Sequence, residues 1–346
     1  MATKTLLIRF GSLGDLALTL PALWDLAASE PRGERHFLVL APWASLLTPL
    51  PELERVWTLP RGARSAELAA LGRDLAAEAY DRVLDFHGNL RARLLRRQLG
   101  RPPAGWWQSP RHDLRRRLMV VRPGWPALLR PRAPLPPVWQ RHRATLRAAL
   151  GETYRPAPPA AARYPLSQAL RAAVDAELAA LGLAPGERPL ALAPGAAWPA
   201  KVWPHAAALV ERLSPRWPLL LVGGPAERDT CAALAALGAV DYSGDRPLSQ
   251  VAAALGRSRA LVASDSGLGH LAEAVGTPVL DLYGPTVPAF GFAPRLEASR
   301  VLERPLGCRP CSLHGARPCR FGHGNCLGEL GADAVVAELS AMGALA

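Results

Sequence analysis

The chain begins with an apolar run over residues 5–10, interrupted only by Arg9, and continues with Leu16, Leu20 and Leu23 at helical spacing. A short apolar run reads as a buried strand and the three- to four-residue recurrence as one helix face, so the opening predicts strand, glycine-rich turn, helix. Further strands are predicted over residues 36–41 and 82–86, and a helix over about 89–99. Residues 154–165 are rich in Pro and Ala and carry no apolar period, as a connection between domains does. Beyond them the alternation restarts. Helices are predicted over residues 167–181, 205–213, 226–237, 248–255, 269–275 and 332–342, and strands over 189–193, 218–222, 260–263 and 278–282. Strands alternating with helices in both halves predict an α/β protein with two open parallel sheets, and ligands at the carboxyl ends of the strands or between the halves. The expected domains are residues 1–160 and 161–346.

A length of 346 residues fits two such domains. Hydrophobic residues make up 49% and charged ones 20%, and the 35 Pro and 30 Gly are scattered, which excludes a disordered or collagen-like chain. No run of eighteen apolar residues occurs, and Arg9 breaks the N-terminal run before it can act as a signal-peptide core, so the expected location is cytoplasmic.

Charge changes the picture in one place. Between Arg91 and Arg147 there are 15 arginines and one acid, Asp113, a local +14 in a chain whose whole excess is +12. Trp106, Trp107, Trp125 and Trp139 are interleaved with them. A one-sign field of this kind predicts an anionic partner such as a headgroup surface. The sequence pI of about 10.4 also admits a non-enzymatic nucleic-acid-binding protein, but the segment contains no recognisable nucleic-acid module. Lys4 and Lys201 are the only lysines, so Lys201 invites a specific reason.

The first turn, Gly11-Ser12-Leu13-Gly14-Asp15, places a carboxylate at a helix start, where the ionised form is favoured. Two roles suit it: a capping box with Ser12 as N-cap, or an isolated base at the end of the first strand. A dinucleotide fingerprint is excluded, because Gly-x-Gly-x-x-Gly is absent and the second strand ends without an acid. In the second half, Pro194-Gly195-Ala-Ala-Trp198-Pro-Ala-Lys201 puts an ammonium on a loop at a strand's end, which suits an anionic ligand as well as a solvated loop charge. Ser264-Asp265-Ser266-Gly267-Leu268-Gly269-His270 is a strand, small-residue turn and helix start whose N–H groups can receive a phosphate. Asp265 and Ser266 are equally suited to capping, and His270 to an ordinary first turn. Gly223-Gly224 forms a second turn of this type.

In combination and in order, these motifs resemble the ADP-heptose:lipopolysaccharide heptosyltransferases, with the Lys201 loop nearer the heptosyltransferase II branch. The long run Ser264-Asp-Ser-Gly-x-x-His270 through Gly284-Pro285-Thr286 is the most specific part. The resemblance implies a GT-B fold, two Rossmann-like domains with parallel sheets facing across a cleft. It also implies an acceptor-binding N-terminal domain, a nucleotide-sugar-binding C-terminal domain, and an inverting transfer that requires no metal or cofactor. Carried over residue by residue, it makes Asp15 the general base and Lys201 the partner of the departing diphosphate. It places donor contacts at Gly195, Lys201, Asp265, Ser266, Gly267 and His270. Acceptor contacts fall on Ser12, Gly14, His87, Asn89 and Arg91, with His87 standing where the family usually has Gln. The implied partners are an ADP-linked sugar, an anionic glycolipid or glycan acceptor, and the inner face of the inner membrane, with no nucleic acid. The same fold using another nucleotide sugar is the near alternative.

Near the C-terminus, Cys308-x2-Cys311-x7-Cys319-x6-Cys326 encloses His314 and His323. The spacing suits a structural zinc or an iron–sulfur cluster, with disulfides or reduced thiols as the other states. Cys231 is expected to be a small buried hydrophobe.

Overall fold

The computed structural model describes residues 2–121, 130–158 and 164–346. It divides into two compact units, Met1–Arg111 with Pro136–Pro165, and His112–Leu135 with Leu166–Ala346.

The first unit is a parallel sheet of β1 (Lys4–Ile8), β2 (Glu34–Leu40), β3 (Arg55–Leu59), β4 (Arg82–Asp85) and β5 (Trp106–Gln108), in the order β3-β2-β1-β4-β5. Leu6, Leu7 and Ile8 of the central strand are fully buried, as the opening apolar run requires. Leu6, Ile8 and Leu38 of the sheet meet Leu68, Leu71 and Leu75 of helix Ser65–Ala77 and Leu95 of helix Leu90–Leu99. Helices Leu20–Ser29 and Val138–Leu150 pack against each other. Asp25 explains how the returning chain is held. Its buried carboxylate accepts Arg143 Nε at 2.5 Å and Nη2 at 3.1 Å, the Tyr154 hydroxyl at 2.5 Å and the Ala157 N–H at 2.9 Å. Four donors on one buried carboxylate offset its desolvation.

The second unit is a parallel sheet of β6 (Leu190–Ala193), β7 (Leu219–Leu221), β8 (Val240–Asp241), β9 (Ala260–Ser264), β10 (Val279–Tyr283) and β11 (Arg300–Glu303), in the order β11-β10-β9-β6-β7-β8. Its core joins Leu190, Leu192, Leu219, Leu221, Val262 and Leu280 to Leu209, Leu213, Val335 and Leu339 of flanking helices. Cys231 is fully buried in this core, as expected.

The expected boundary at residues 160/161 lies outside the described residues. In one respect the division differs from the sequence expectation. Residues 112–121 and 130–135, expected to belong to the first half, group with the second unit because Met119, Val120 and Leu135 bury against Phe290, with Leu135 N–H donating to Ala289 O at 2.9 Å. The basic segment is therefore divided between the two units. Several of its arginines are engaged internally: Arg143 on Asp25, Arg141 on the carbonyls of Pro110 and Arg111, and Arg116 over the rings of Phe290 and Phe292. Trp125 lies outside the described residues. Among the described residues, no helix is long and apolar enough to cross a membrane.

Candidate functional site

In an open parallel sheet the strand order reverses at a switch point, and the loops leaving the strands there diverge to leave a crevice. In the first unit this point is between β1 and β4. The turn after β1 carries Asp15, third residue of the short helix Leu13–Ala17. Asp15 Oδ2 lies 2.6 Å from Arg9 Nη2 and accepts the Ser12 N–H at 3.4 Å and the Ser12 hydroxyl at 3.2 Å. The helix-cap arrangement and a partly exposed carboxylate thus coexist. Burial by itself would raise the Asp15 pKa. The charge and hydrogen bond of Arg9, with smaller help from the Ser12 N–H, outweigh it and hold the carboxyl below the usual range, ionised at neutral pH. Gly14 is buried beneath the turn.

The turn after β4 is folded by Asp85, whose Oδ1 accepts the N–H groups of His87 at 2.9 Å and Gly88 at 2.8 Å. His87 stands edge-on to Phe10 with ring centroids 5.4 Å apart. Burial, then the charge of Arg9, push its pKa down to about 3 against the opposing pull of Asp15, so the ring is neutral. Its Nδ1 is buried with no hydrogen-bond partner among the described residues. Asn89 and Arg91, expected acceptor contacts, are tied into the protein: Asn89 Oδ1 caps helix Leu90–Leu99 by accepting the Ala92 N–H at 3.0 Å, and Arg91 Nη2 donates to Arg61 O at 3.3 Å.

Sequence reasoning missed His142 and Arg9. His142, on helix Val138–Leu150, places Nδ1 2.9 Å from the Ser109 hydroxyl and leaves a buried Nε2 with no partner among the described residues. Burial, and then Arg9, hold it well below the usual histidine range. Two neutral imidazoles with unsatisfied ring nitrogens, within electrostatic reach of an ionised carboxylate, are a set that buried structure rarely leaves unused. It can receive the hydroxyls of a sugar and remove a proton from one of them.

In the second unit the switch point is between β6 and β9. The loop after β6 brings Lys201 to the turn after β9. Its ammonium donates to Asp265 Oδ2 at 2.5 Å and to the Asp265 carbonyl at 3.1 Å, and Thr286 Oγ1 donates to the same carboxylate oxygen at 2.7 Å. The lysine and aspartate side chains are only 11% and 13% exposed, so the pair is fixed and the lysine is not a solvated loop charge. Ser266 is the N-cap residue of helix Gly267–Ala274 but makes no side-chain cap bond, and its hydroxyl is buried with no partner among the described residues. The first N–H groups of a helix have no intrahelical acceptor, so an anion fits this helix start. Behind it, burial and then the charge of Asp265 hold Asp281 well above the usual carboxylate range, against the pull of Lys201.

The remaining expected donor residues are less open. His270 is 7% exposed in the first turn, its ring 6.5 Å from that of Phe292. Gly195 packs on Glu227, where an added Cβ would lie 2.2 Å from Glu227 Cγ. The Gly223-Gly224 turn is closed on itself, Glu227 accepting the Gly224 N–H at 2.8 Å. Glu273 is a structural anchor that receives the N–H groups of Arg295 and Leu296 and the Ser299 hydroxyl.

Cys308, Cys311, Cys319 and Cys326 are free thiols, all half-buried. Burial and then their neighbours' charges raise Cys311, and Cys308 Sγ lies 3.8 Å from His323 Nε2. Four cysteine thiols in one short segment suit a thiophilic ion in kind. Among the described residues, the one three-ligand group whose atoms all lie within 4.8 Å is Glu34, His36 and Glu78, so the sulfurs must draw together to enclose an ion. In the Glu34 set the space between the carboxylates belongs to the Lys4 ammonium, which makes it an internal ion cluster.

The sequence profile of glycosyltransferase family 9 (heptosyltransferase) matches residues 68–317. A lipopolysaccharide heptosyltransferase 1 of Pseudomonas aeruginosa is 32% identical over 330 residues, covering 89% of this chain and 86% of that protein. Among solved structures, the E. coli ADP-heptose lps heptosyltransferase II overlays with a TM-score of 0.73 at 21% identity, covering 98% of both chains. An E. coli heptosyltransferase with ADP-2-deoxy-2-fluoro heptose gives 0.67 at 23% identity, over 98% of this chain and 99% of that one. The sequence relative bears the number 1 and the first overlaid structure the number II, and both stand within one family. The α/β architecture of two parallel sheets is thus the fold of these transferases, and the chain belongs to glycosyltransferase family 9, the heptosyltransferases.

Proposed function

We propose that the protein is an inverting glycosyltransferase that moves a heptose from an ADP-linked donor to an anionic, lipopolysaccharide-type acceptor. The observation that carries the reading is the Lys201–Asp265–Thr286 cluster beside an unpartnered Ser266 hydroxyl at a helix start, a ready seat for a diphosphate. The lipopolysaccharide heptosyltransferase relative and the ADP-2-deoxy-2-fluoro heptose complex support the choice of acceptor and donor. In the reaction the acceptor oxygen bonds to the anomeric carbon as the bond from that carbon to the diphosphate oxygen breaks. Asp15 takes the hydroxyl proton, and ADP leaves with the charge that Lys201 and the helix start stabilise. A screen of ADP-, UDP- and GDP-linked sugars, with the product anomer read by NMR, tests this directly. Transfer from the ADP-linked heptose with inverted configuration is expected; retention, or preference for another nucleotide, overturns the reading.

The acceptor is proposed to be reached at the inner membrane surface. Helix Asp113–Met119 exposes Leu114 and Leu118 four residues apart, with Arg115 and Arg117 beside them, while Arg116 is held against Phe290 and Phe292. Reversing Arg115 and Arg117 to Glu, and leaving Arg116, should weaken binding to anionic liposomes by about 30-fold or more, at about 1 kcal/mol per arginine. ADP affinity should stay unchanged. Equal binding of the wild type to neutral and anionic liposomes removes the membrane from the proposal.

The four cysteines are proposed to hold a structural thiophilic metal ion. Elemental analysis of protein purified under reducing conditions should find about one zinc, or iron with a sulfide chromophore, and Cys308→Ser should lower that content. Four titratable thiols and no metal is the contrary result.

A further inference from the structure

The four-cysteine segment also touches the lysine loop. The N–H groups of Cys311 and Ser312 donate to Pro285 O at 3.0 and 3.3 Å, which sets the segment beside Thr286 and hence beside Asp265. The Ser312 hydroxyl accepts the N–H groups of His314 at 3.3 Å and Gly315 at 2.8 Å, closing a tight turn. Gly315 sits at φ +82°, a conformation that disfavours a side chain, and its carbonyl accepts the Ala200 N–H at 3.3 Å. The space a side chain would occupy is filled by the lysine stem. A Cβ on Gly315 would lie 2.9 Å from Lys201 Cγ, 3.3 Å from Pro285 Cγ and 3.5 Å from Trp198 Cβ. The lysine is therefore confined along its stem by Gly315 and at its head by Asp265.

We propose that the turn Ser312–Gly315, within the four-cysteine segment, is a positioning element for Lys201 and thereby sets affinity for the donor's diphosphate. This rests on the reading of Lys201 as a diphosphate contact. A lysine carries four flexible carbons, and binding through it is weakened by the freedom it loses. A groove that already holds the stem removes part of that loss, which is preorganisation supplied from a different segment of the chain.

The test is a matched pair of glycine substitutions in the full-length protein, with ADP and AMP binding measured by calorimetry. Gly315→Ala pushes a methyl into the lysine stem. Gly322→Ala, in the same segment at φ +76°, imposes a similar backbone strain but meets nothing within 4 Å. Gly315→Ala should weaken ADP by about tenfold, an ordinary consequence of overpacking, and leave AMP nearly unchanged. In a Lys201→Ala background it should have no further effect, and Gly322→Ala should leave ADP affinity intact. Equal losses for ADP and AMP, additivity with Lys201→Ala, or the same loss from Gly322→Ala each overturn the proposal. If Gly315→Ala fails to fold, Ser312→Ala, which opens the turn without adding atoms, should weaken ADP in the same selective way; no loss there counts against it. Should Lys201→Ala itself leave ADP affinity untouched, the reading of Lys201 fails. If only Lys201→Ala weakens ADP, the positioning role alone fails.

Discussion

Asp15→Asn should lower the rate of sugar transfer by about 10²- to 10⁴-fold, the usual worth of a positioned general base, with little change in ADP affinity. The asparagine oxygen can still accept from the Ser12 N–H, so the turn keeps its cap. What disappears is the negative charge facing Arg9 and the ability to take a proton. Loss of that ion pair leaves the 12% exposed Arg9 without its counterion, so some loss of stability accompanies the substitution. A large fall in rate with ADP affinity retained in the folded variant therefore separates base from cap. The pH profile supplies a second reading. A depressed carboxyl pKa means that the base form is present throughout the neutral range and is lost only as pH falls below the ordinary aspartate range. His87, neutral down to about pH 3, should add no inflection near 6.5. A variant retaining more than a few tenths of wild-type turnover shows that Asp15 is a helix cap alone.

The chain reveals its interior strands and hides its edges. β1, β2, β4, β6, β7, β9 and β10 are visible as apolar runs because each is flanked on both sides and covered. The four strands absent from the sequence reading, β3, β5, β8 and β11, are the four sheet edges. β3 reads Arg-Val-Trp-Thr-Leu, with Arg55 and Thr58 exposed and only Leu59 buried, and β11 reads Arg-Val-Leu-Glu, with exposed ends and a partly buried middle, so neither shows the run or the clean alternation that marks a strand. The proposed site residues follow the same logic. Asp15, His87, Lys201, Asp265 and Ser266 all stand in segments that leave interior strands, where local pattern locates them. His142 lies in a helix within the arginine-rich stretch, with no motif around it, and only the returning chain anchored by Asp25 brings it to Ser109. Arg9 looked like an interruption of the first strand. The fold makes it the counterion of Asp15. Asn89 shows the converse limit, since a motif position cannot distinguish a ligand contact from a helix cap.

Lys201→Ala should reduce kcat/KM for the nucleotide sugar by about 10²- to 10³-fold, the range for removing one preorganised group that meets developing charge. Nucleotide binding and turnover should both fall, because diphosphate charge is present in the ground state and grows as the bond breaks. The loss will exceed what the lysine itself contributes. Without the ammonium, the 13% exposed Asp265 keeps only the Thr286 hydroxyl of its two side-chain partners and faces the incoming diphosphate as a buried like charge. Asp265→Asn placed on top of Lys201→Ala should therefore recover part of the ADP affinity, and a double variant no better than Lys201→Ala shows that Asp265 exerts no such repulsion. Lys201→Arg should restore binding only in part: its stem must still run past Gly315 and Trp198, and a planar fork cannot reproduce a compact ammonium reaching one carboxylate oxygen and one carbonyl. Wild-type activity in the arginine variant would show that positive charge alone suffices. An alanine variant with undiminished ADP affinity would return Lys201 to the status of an internal ion pair.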